Sequence, residues 1–170
     1  IPANFLMEDF YISMHVLEAK QQAVFELKAI GREDVSNEVA EEFKRKTRIS
    51  AGNFQNLHVY WPLLLRFDFN AFCFFSHKVL RWFTPLLMLF CLLSSLLLLR
   101  FTLFKIFVLL QLLLFSTPFI DLLLKRLDVH SKPIRLMAYF VMMNMALVNG
   151  LRMYWRGVKT NAWTPTKRNI

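Results

Sequence analysis

Residues 82–99 read WFTPLLMLFCLLSSLLLL, an uncharged stretch of 18 residues between Arg81 and Arg100. A transmembrane helix needs about 20 predominantly apolar residues, within a range of roughly 17–25, to cross the hydrocarbon core of a bilayer. Two further apolar stretches follow, residues 106–124 with one acidic residue and residues 136–151 without a charge. The sequence therefore predicts about three transmembrane helices, one at each of these places.

The composition of the whole chain agrees with a membrane protein. Of its 170 residues, 56% are hydrophobic and 19% are charged, whereas soluble domains have about 25% charged and 45–50% apolar residues. Residues 1–60 carry 7 Lys and Arg against 9 Asp and Glu, a net of −2, and residues 61–170 carry 14 against 3, a net of +11, which sum to +9. In the second part the cations bracket apolar runs, which excludes a nucleic-acid-binding surface. We expect a polar head on a basic, membrane-embedded tail.

Residues 58–81, between the head and the first apolar stretch, mix aromatic and charged side chains. The charged ones are Arg66, Asp68, Lys78 and Arg81, and they interrupt the phenylalanines Phe67, Phe69, Phe72, Phe74 and Phe75. Such a stretch before a span is typical of an amphipathic helix that lies in the membrane interface. The alternative is a buried core helix. We predict an interface helix over residues 58–81.

Residues 1–57 combine helical and strand-like patterns. Apolar residues at three- and four-residue spacing predict a helix that begins near Glu8. Residues 23–27 predict one strand, and Ser36 is the predicted cap of a second helix, whose early turns are acidic and whose late turns are basic. One strand and two helices cannot enclose a core. We therefore predict the C-terminal end of an α+β domain, cut from a longer protein whose other elements precede Ile1.

The charges of the connections predict an orientation in the cell membrane but leave one question open. The connection after residue 124 carries four cations and the connection after residue 99 carries two, which places the head and the later connection in the cytoplasm. The tail, residues 152–170, is also basic and favours the cytoplasm, although three spans would place it outside. Either the third apolar stretch does not cross, or residues 61–81 cross as well.

Two short patterns in the head hold residues suited to chemistry. Glu8 and Asp9 form an acidic pair at the start of the first predicted helix, and residues 45–57 read RKTRISAGNFQNL, a basic helix end. By themselves the acids are typical of a helix cap, and Arg45 and Arg48 of a surface that faces solvent or lipid headgroups. No spacing among the cysteines and histidines predicts a metal site.

Two further patterns flank the apolar part of the chain, SHKVLRW at residues 76–82 and NAWTPTKR at residues 161–168. In this order, and followed by spans, the four patterns resemble the C-terminal part of a membrane-integrated family 2 glycosyltransferase, closest to the prokaryotic exopolysaccharide synthases. The resemblance extends over essentially the whole chain. It implies that residues 1–57 are the end of an A-type catalytic domain, and that the enzyme inverts the configuration of the transferred sugar.

The resemblance also assigns roles to residues. Asp9 matches the general base of the family's acidic motif, and Glu8 its substrate-binding neighbour. Residues 45–49 fall where the family has Gln-x-x-Arg-Trp: Arg48 matches the arginine, and Arg45 stands in place of the glutamine as a second substrate-binding candidate. Two positions depart from the family pattern, because Met7 replaces a threonine and Ile49 replaces the tryptophan.

These residue types suit the implied reaction. A carboxylate takes the proton from the attacking hydroxyl group, and a helix N-terminus favours the charged form of a carboxylate. Guanidinium groups bind the leaving diphosphate in a bidentate manner. The resemblance implies a nucleotide-sugar donor, a lipid or polysaccharide acceptor, contact with membrane lipids, and Mg²⁺ or Mn²⁺ with ligands outside this chain, so that the isolated chain is inactive. The rival interpretation is a non-enzymatic membrane adaptor or transport subunit whose polar head docks to a partner.

Overall fold

The computed structural model describes residues 1–2, 4–22, 24–31 and 39–158, and the regular structure in these residues is helical throughout. In chain order the elements are α1 (Glu8–Glu18), α2 (Val39–Tyr60), a 3₁₀-helix (Trp61–Arg66), α3 (Phe69–Phe74), a π-helical stretch (Phe75–Val79), α4 (Leu80–Trp82), α5 (Thr84–Leu97), α6 (Thr102–Arg126) and α7 (Lys132–Trp155). They form two compact units. The first comprises Ile1–Arg81 and Leu147–Ile170, and the second comprises Trp82–Ala146.

The predicted α+β head is wrong, because the described residues contain no strand. Of the predicted strand at residues 23–27, the described part is irregular and ends in a turn. Val24, Phe25 and Leu27 are 89%, 83% and 82% exposed. A strand is held by hydrogen bonds to a neighbouring strand, and this segment has no such neighbour among the described residues. Ser36, the predicted cap of the second helix, lies outside them, as do residues 161–168.

The long helix α2 is the centre of the first unit. Its residues Ala51, Phe54 and Tyr60 are buried. The Ser50 hydroxyl donates a hydrogen bond of 3.1 Å to the carbonyl oxygen of Leu147 near the end of α7. The rings of Phe54 and Tyr154 lie 6.3 Å apart. The last turns of α7 therefore pack against one side of α2.

The contact between α2 and α7 leaves no room for a side chain at Gly150. A Cβ atom there would lie 2.3 Å from Cβ of Ser50 and 2.7 Å from the backbone oxygen of Thr47. Because a backbone carbonyl cannot move aside, we expect Gly150→Ala to destabilise the fold by about 1–3 kcal/mol. Thermal melting of the purified protein in detergent measures this.

The matched control is Gly31→Ala, since a Cβ atom at Gly31 has no neighbour within 4 Å among the residues that the structure describes. We expect this variant to change the free energy of unfolding by no more than about 0.5 kcal/mol. Equal melting temperatures for the Gly150 and Gly31 variants would contradict the close approach of α7 to α2.

The apolar helices α5 and α6 lie in the second unit, as does α7 up to Ala146. Thr102–Arg126 and Lys132–Trp155 are each long and apolar enough to cross a membrane, which agrees with the spans predicted at residues 106–124 and 136–151 and with a membrane protein. The stretch at residues 82–99 differs, because α5 has only 14 residues and would extend roughly 21 Å as a helix. It meets the same criteria only together with Phe69–Trp82, from which a break at Phe83 separates it.

The proline inside α6 is compensated locally. Pro118 has no N–H group to donate to the carbonyl oxygen of Leu114, four residues earlier. The hydroxyl of Thr117 donates to that oxygen instead, at 2.7 Å. Serine and threonine side chains often satisfy backbone groups in this way within membranes. The single carboxylate of α6, Asp121, forms an ion pair with Lys125 one turn later.

Candidate catalytic site

Glu8 and Asp9 are the first two residues of α1, as the sequence predicts, and both are exposed. Met7 precedes them at the cap position and forms no side-chain hydrogen bond there. The first backbone N–H groups of the helix therefore keep their affinity for negative charge. Within the described part of the chain, neither carboxylate forms an ion pair. The two acids are thus available to a ligand.

The chain immediately before α1 is fixed to α2 by the Gln55 amide group. Its oxygen accepts a hydrogen bond of 3.0 Å from the backbone N–H of Leu6, and its nitrogen donates one of 3.0 Å to the carbonyl oxygen of Asn4. Both partners lie about 50 residues earlier in the chain. We call residues 4–7 the strap, because they hold the start of α1 against α2.

A second amide side chain, Asn56, completes this attachment. It is fully buried, and its nitrogen donates to the carbonyl oxygens of Met7 at 3.3 Å and Gly52 at 2.9 Å. Its amide oxygen has no hydrogen-bond partner, which is an energetic cost to the fold. Asn56 therefore has a positioning role, because it holds Met7, the residue directly before the acidic pair.

Gly52 allows the strap to lie directly on the backbone of α2. A Cβ atom at Gly52 would be 2.5 Å from Cγ of Met7 and 3.1 Å from Cβ of Leu6. Arg48 precedes Gly52 by four residues and therefore lies on the same face of α2, about 6 Å along the axis. The strap that leads into α1 and the half-buried Arg48 thus lie on the same face of α2.

The phenol of Tyr60 fixes α1 further along its length. Its hydroxyl donates a hydrogen bond of 2.9 Å to the carbonyl oxygen of Tyr11, and the two rings lie 5.5 Å apart. Burial, together with the nearby Tyr11 and Glu18, raises the pKa of Tyr60 to about 12. Tyr60 therefore remains a neutral hydrogen-bond donor at physiological pH. Its hydrogen bond to Tyr11 holds α1 against α2 beyond the acidic pair.

Arg45, the second predicted arginine, is placed differently. Its Nε and Nη2 atoms donate hydrogen bonds to the two carboxylate oxygens of Glu42, at 3.0 and 3.3 Å, and Lys46 adds a contact of 3.5 Å to the same carboxylate. Partial burial acts to raise the pKa of Glu42, but the hydrogen bonds and charges of Arg45 and Lys46 outweigh it and leave that pKa lowered. The guanidinium of Arg45 thus already forms an ion pair with Glu42 on its own helix.

The lowered pKa of Glu42 makes the stability of the first unit depend on pH. Its carboxylate stabilises the fold above the ordinary pKa of 4.5, and this contribution is lost as the pH falls through the lowered value. We expect Glu42→Gln to melt below the wild-type protein near neutral pH and the difference to shrink below a pH of about 4. Thermal melts of both proteins across this range test it, and a constant difference would contradict it.

The sequence interpretation selected Asp9, Glu8, Arg45 and Arg48, and it passed over the residues that hold them in place. Gln55, Asn56 and Gly52 belong to the quoted stretch of residues 45–57, and the signal was two amides and a glycine within an amphipathic helix. The described residues contain no group of three or more His, Cys, Asp or Glu that could hold a metal ion, and the expected Mg²⁺ or Mn²⁺, which needs several oxygen ligands, stays a prediction. No family model, curated protein or solved structure matches this chain.

Proposed function

We propose that this chain is part of an inverting glycosyltransferase that moves a sugar from a nucleotide-sugar donor to a lipid or polysaccharide acceptor at the membrane. One observation supports the proposal most. Gln55 and Asn56 hold the strap on α2, and they thereby keep the start of α1, with its acidic pair, on the face of α2 that carries Arg48. A base and a phosphate-binding cation are the two groups that this reaction requires from the protein.

In the proposed reaction, the carboxylate of Asp9 takes the proton from the acceptor hydroxyl group. The hydroxyl oxygen forms a bond to the anomeric carbon while the bond from that carbon to the diphosphate breaks, so that the configuration inverts. The electron pair of the broken bond leaves with the nucleoside diphosphate. The guanidinium of Arg48 donates hydrogen bonds to the phosphate oxygens and stabilises this developing charge.

The apolar helices support a reaction at the membrane surface. With α6 and α7 as anchors, the first unit stays where acceptors with a lipid anchor, or a glycan under export, are concentrated. Arg152 and Arg156, at the end of α7 and within the first unit, favour the cytoplasmic side for that unit. We propose that the first unit faces the cytoplasm, where nucleotide sugars are made, in the inner membrane of the cell.

A second candidate function is a membrane adaptor or transport subunit without enzymatic activity. The observation in its favour is the segment between α1 and residue 31, where Val24, Phe25, Leu27 and Ile30 are each more than 80% exposed. Exposed apolar groups of this kind mark surfaces that bind another protein. In an enzyme, the same surface would contact the remainder of the catalytic domain.

Membranes that contain the full-length protein distinguish the two functions when they are incubated with a panel of radiolabelled nucleotide sugars. We expect one donor to release its nucleoside diphosphate and to transfer label to a lipid or polymer fraction, in amounts that increase with the amount of protein. Failure of every donor to bind in equilibrium dialysis and to react would reject the transferase and favour the adaptor. Binding with hydrolysis alone, without transfer in the presence of membrane lipids and glycans, would also contradict the proposal.

A further inference from the structure

The first unit contains a cavity that the proposed reaction does not use. Its volume is about 290 Å³, and it lies between α1 and the segment from the 3₁₀-helix to the π-helical stretch. Its apolar lining consists of Phe10, Met14, Leu17, Leu63 and Phe74. Phe10 and Phe74 lie on opposite elements with their rings 6.2 Å apart. A cavity with such walls favours a hydrocarbon chain over a sugar, whose hydroxyl groups would lose hydrogen bonds to water.

Cations line one part of this cavity. Lys78 places its ammonium nitrogen 5.2 Å from the centre of the Phe10 ring, and no carboxylate in the described residues forms an ion pair with it. Arg66 contacts Glu18 at 3.9 Å, with both side chains more than 40% exposed, so that this pair is weak. The carboxylate of Asp68 accepts a hydrogen bond of 2.7 Å from the backbone N–H of Ala71 and keeps its negative charge. With two cations against this one carboxylate in the lining, the charged lining is net positive and favours an anion.

The position of the cavity indicates where this anion comes from. The segment that forms one wall also carries Phe67, Phe69 and Phe72, which are 90%, 78% and 64% exposed. Large exposed aromatic groups next to basic residues are typical of a helix that lies among lipid headgroups. A cavity in this segment lies beside molecules that join a hydrocarbon chain to a phosphate.

We propose that this cavity binds one anionic phospholipid of the membrane, with an acyl chain between α1 and α3 and the phosphate beside Lys78 and Arg66. A cavity of about 150 Å³ with apolar walls binds benzene, and a cavity of 290 Å³ can therefore hold a chain segment of roughly a dozen carbon atoms. The lipid would join α1 to the membrane-facing segment. This inference goes beyond sugar transfer and does not depend on it.

Native mass spectrometry of the full-length protein, freed of lipid and titrated with phosphatidylglycerol or phosphatidylcholine, tests the site. We expect one phosphatidylglycerol to bind with high affinity and phosphatidylcholine to bind at least about tenfold more weakly, as expected for the loss of charge-assisted contacts. Cys73 lines the cavity, so Cys73→Trp fills it and should abolish the tight binding. The control is Cys91→Trp, whose exposed parent residue lies in the second unit and which should bind as the wild-type protein does.

If Cys73→Trp does not fold, a variant of the two cations proposed to bind the phosphate still tests the site. The double variant Arg66→Gln, Lys78→Gln changes two exposed side chains and should weaken phosphatidylglycerol binding about tenfold or more, with phosphatidylcholine binding unchanged. A large excess of inorganic phosphate should not displace the lipid. Equal binding of both lipids, displacement by phosphate alone, or unchanged binding by the double variant would each overturn the proposal. Since the readout is bound lipid, failure here leaves the transferase proposal untouched.

Discussion

Asp9→Asn in the full-length protein is expected to reduce sugar transfer at least about a hundredfold, because removal of a positioned general base costs about 10²–10⁴ in rate. Asparagine keeps the shape of the side chain and can still accept a hydrogen bond at a helix start, but it cannot take the proton. Loss of a helix cap costs only about 0.5–2 kcal/mol of stability and leaves the chemical step unchanged. Transfer rate, measured beside melting temperature and donor affinity, separates these two effects.

The neighbouring acid provides the control for this prediction. Glu8 and Asp9 lie about 100° apart around the helix axis, so both cannot reach one hydroxyl group. We expect Glu8→Gln to keep most of the transfer activity, with its effect confined to the affinity for the donor or acceptor. Transfer by Asp9→Asn above roughly a tenth of the wild-type rate would reject Asp9 as the base, and a large loss in Glu8→Gln would assign that role to Glu8.

The start of α1 was predictable because the information is local. Apolar residues at helical spacing, with an acidic pair in the first turn, indicate a helix that begins near Glu8, and α1 begins at that residue. The long apolar helices α6 and α7 were predictable for the same reason. The strand predicted at residues 23–27 was wrong because its formation is not a local matter. Residues compatible with a β-strand form one only where another strand is present to pair with them.

The break at Phe83 shows a different limit of the sequence pattern. A count of uncharged residues treats residues 82–99 as one stretch, but a count of this kind does not register where helical hydrogen bonds stop. Pro85, in the first turn of α5, lacks the N–H group that would continue the preceding helix. Pro85 therefore indicates that a new helix starts here. A prediction based on hydropathy alone does not take this into account.

In the candidate site, the charged groups could be selected from the sequence and their placement could not. Acids and arginines stand out because their chemistry is specific. The function of Gln55 and Asn56 depends on which backbone groups they meet, and those groups lie 49 to 51 residues away in the chain. Such pairings are a property of the folded chain. The partner of Arg45 is likewise known only from the fold, which shows Nε and Nη2 of its guanidinium bonded to the two carboxylate oxygens of Glu42.

Arg48→Lys is expected to reduce transfer by roughly tenfold to a hundredfold, although it preserves the charge. The reason is geometric: a guanidinium donates two parallel hydrogen bonds to a diphosphate, whereas an ammonium group acts as a point charge, and one charge-assisted hydrogen bond contributes about 1.5–3 kcal/mol.

The matched control is Arg45→Lys, three residues away on the same helix, whose guanidinium already bonds Glu42 and whose replacement should leave transfer nearly unchanged. Transfer rate and donor affinity are measured for both variants, with melting temperatures as the test of folding. If Arg48 binds the diphosphate, its variant loses transfer at an unchanged melting temperature. Normal turnover and donor affinity in Arg48→Lys, or an equal loss in both variants, would instead make Arg48 one of the surface cations of α2.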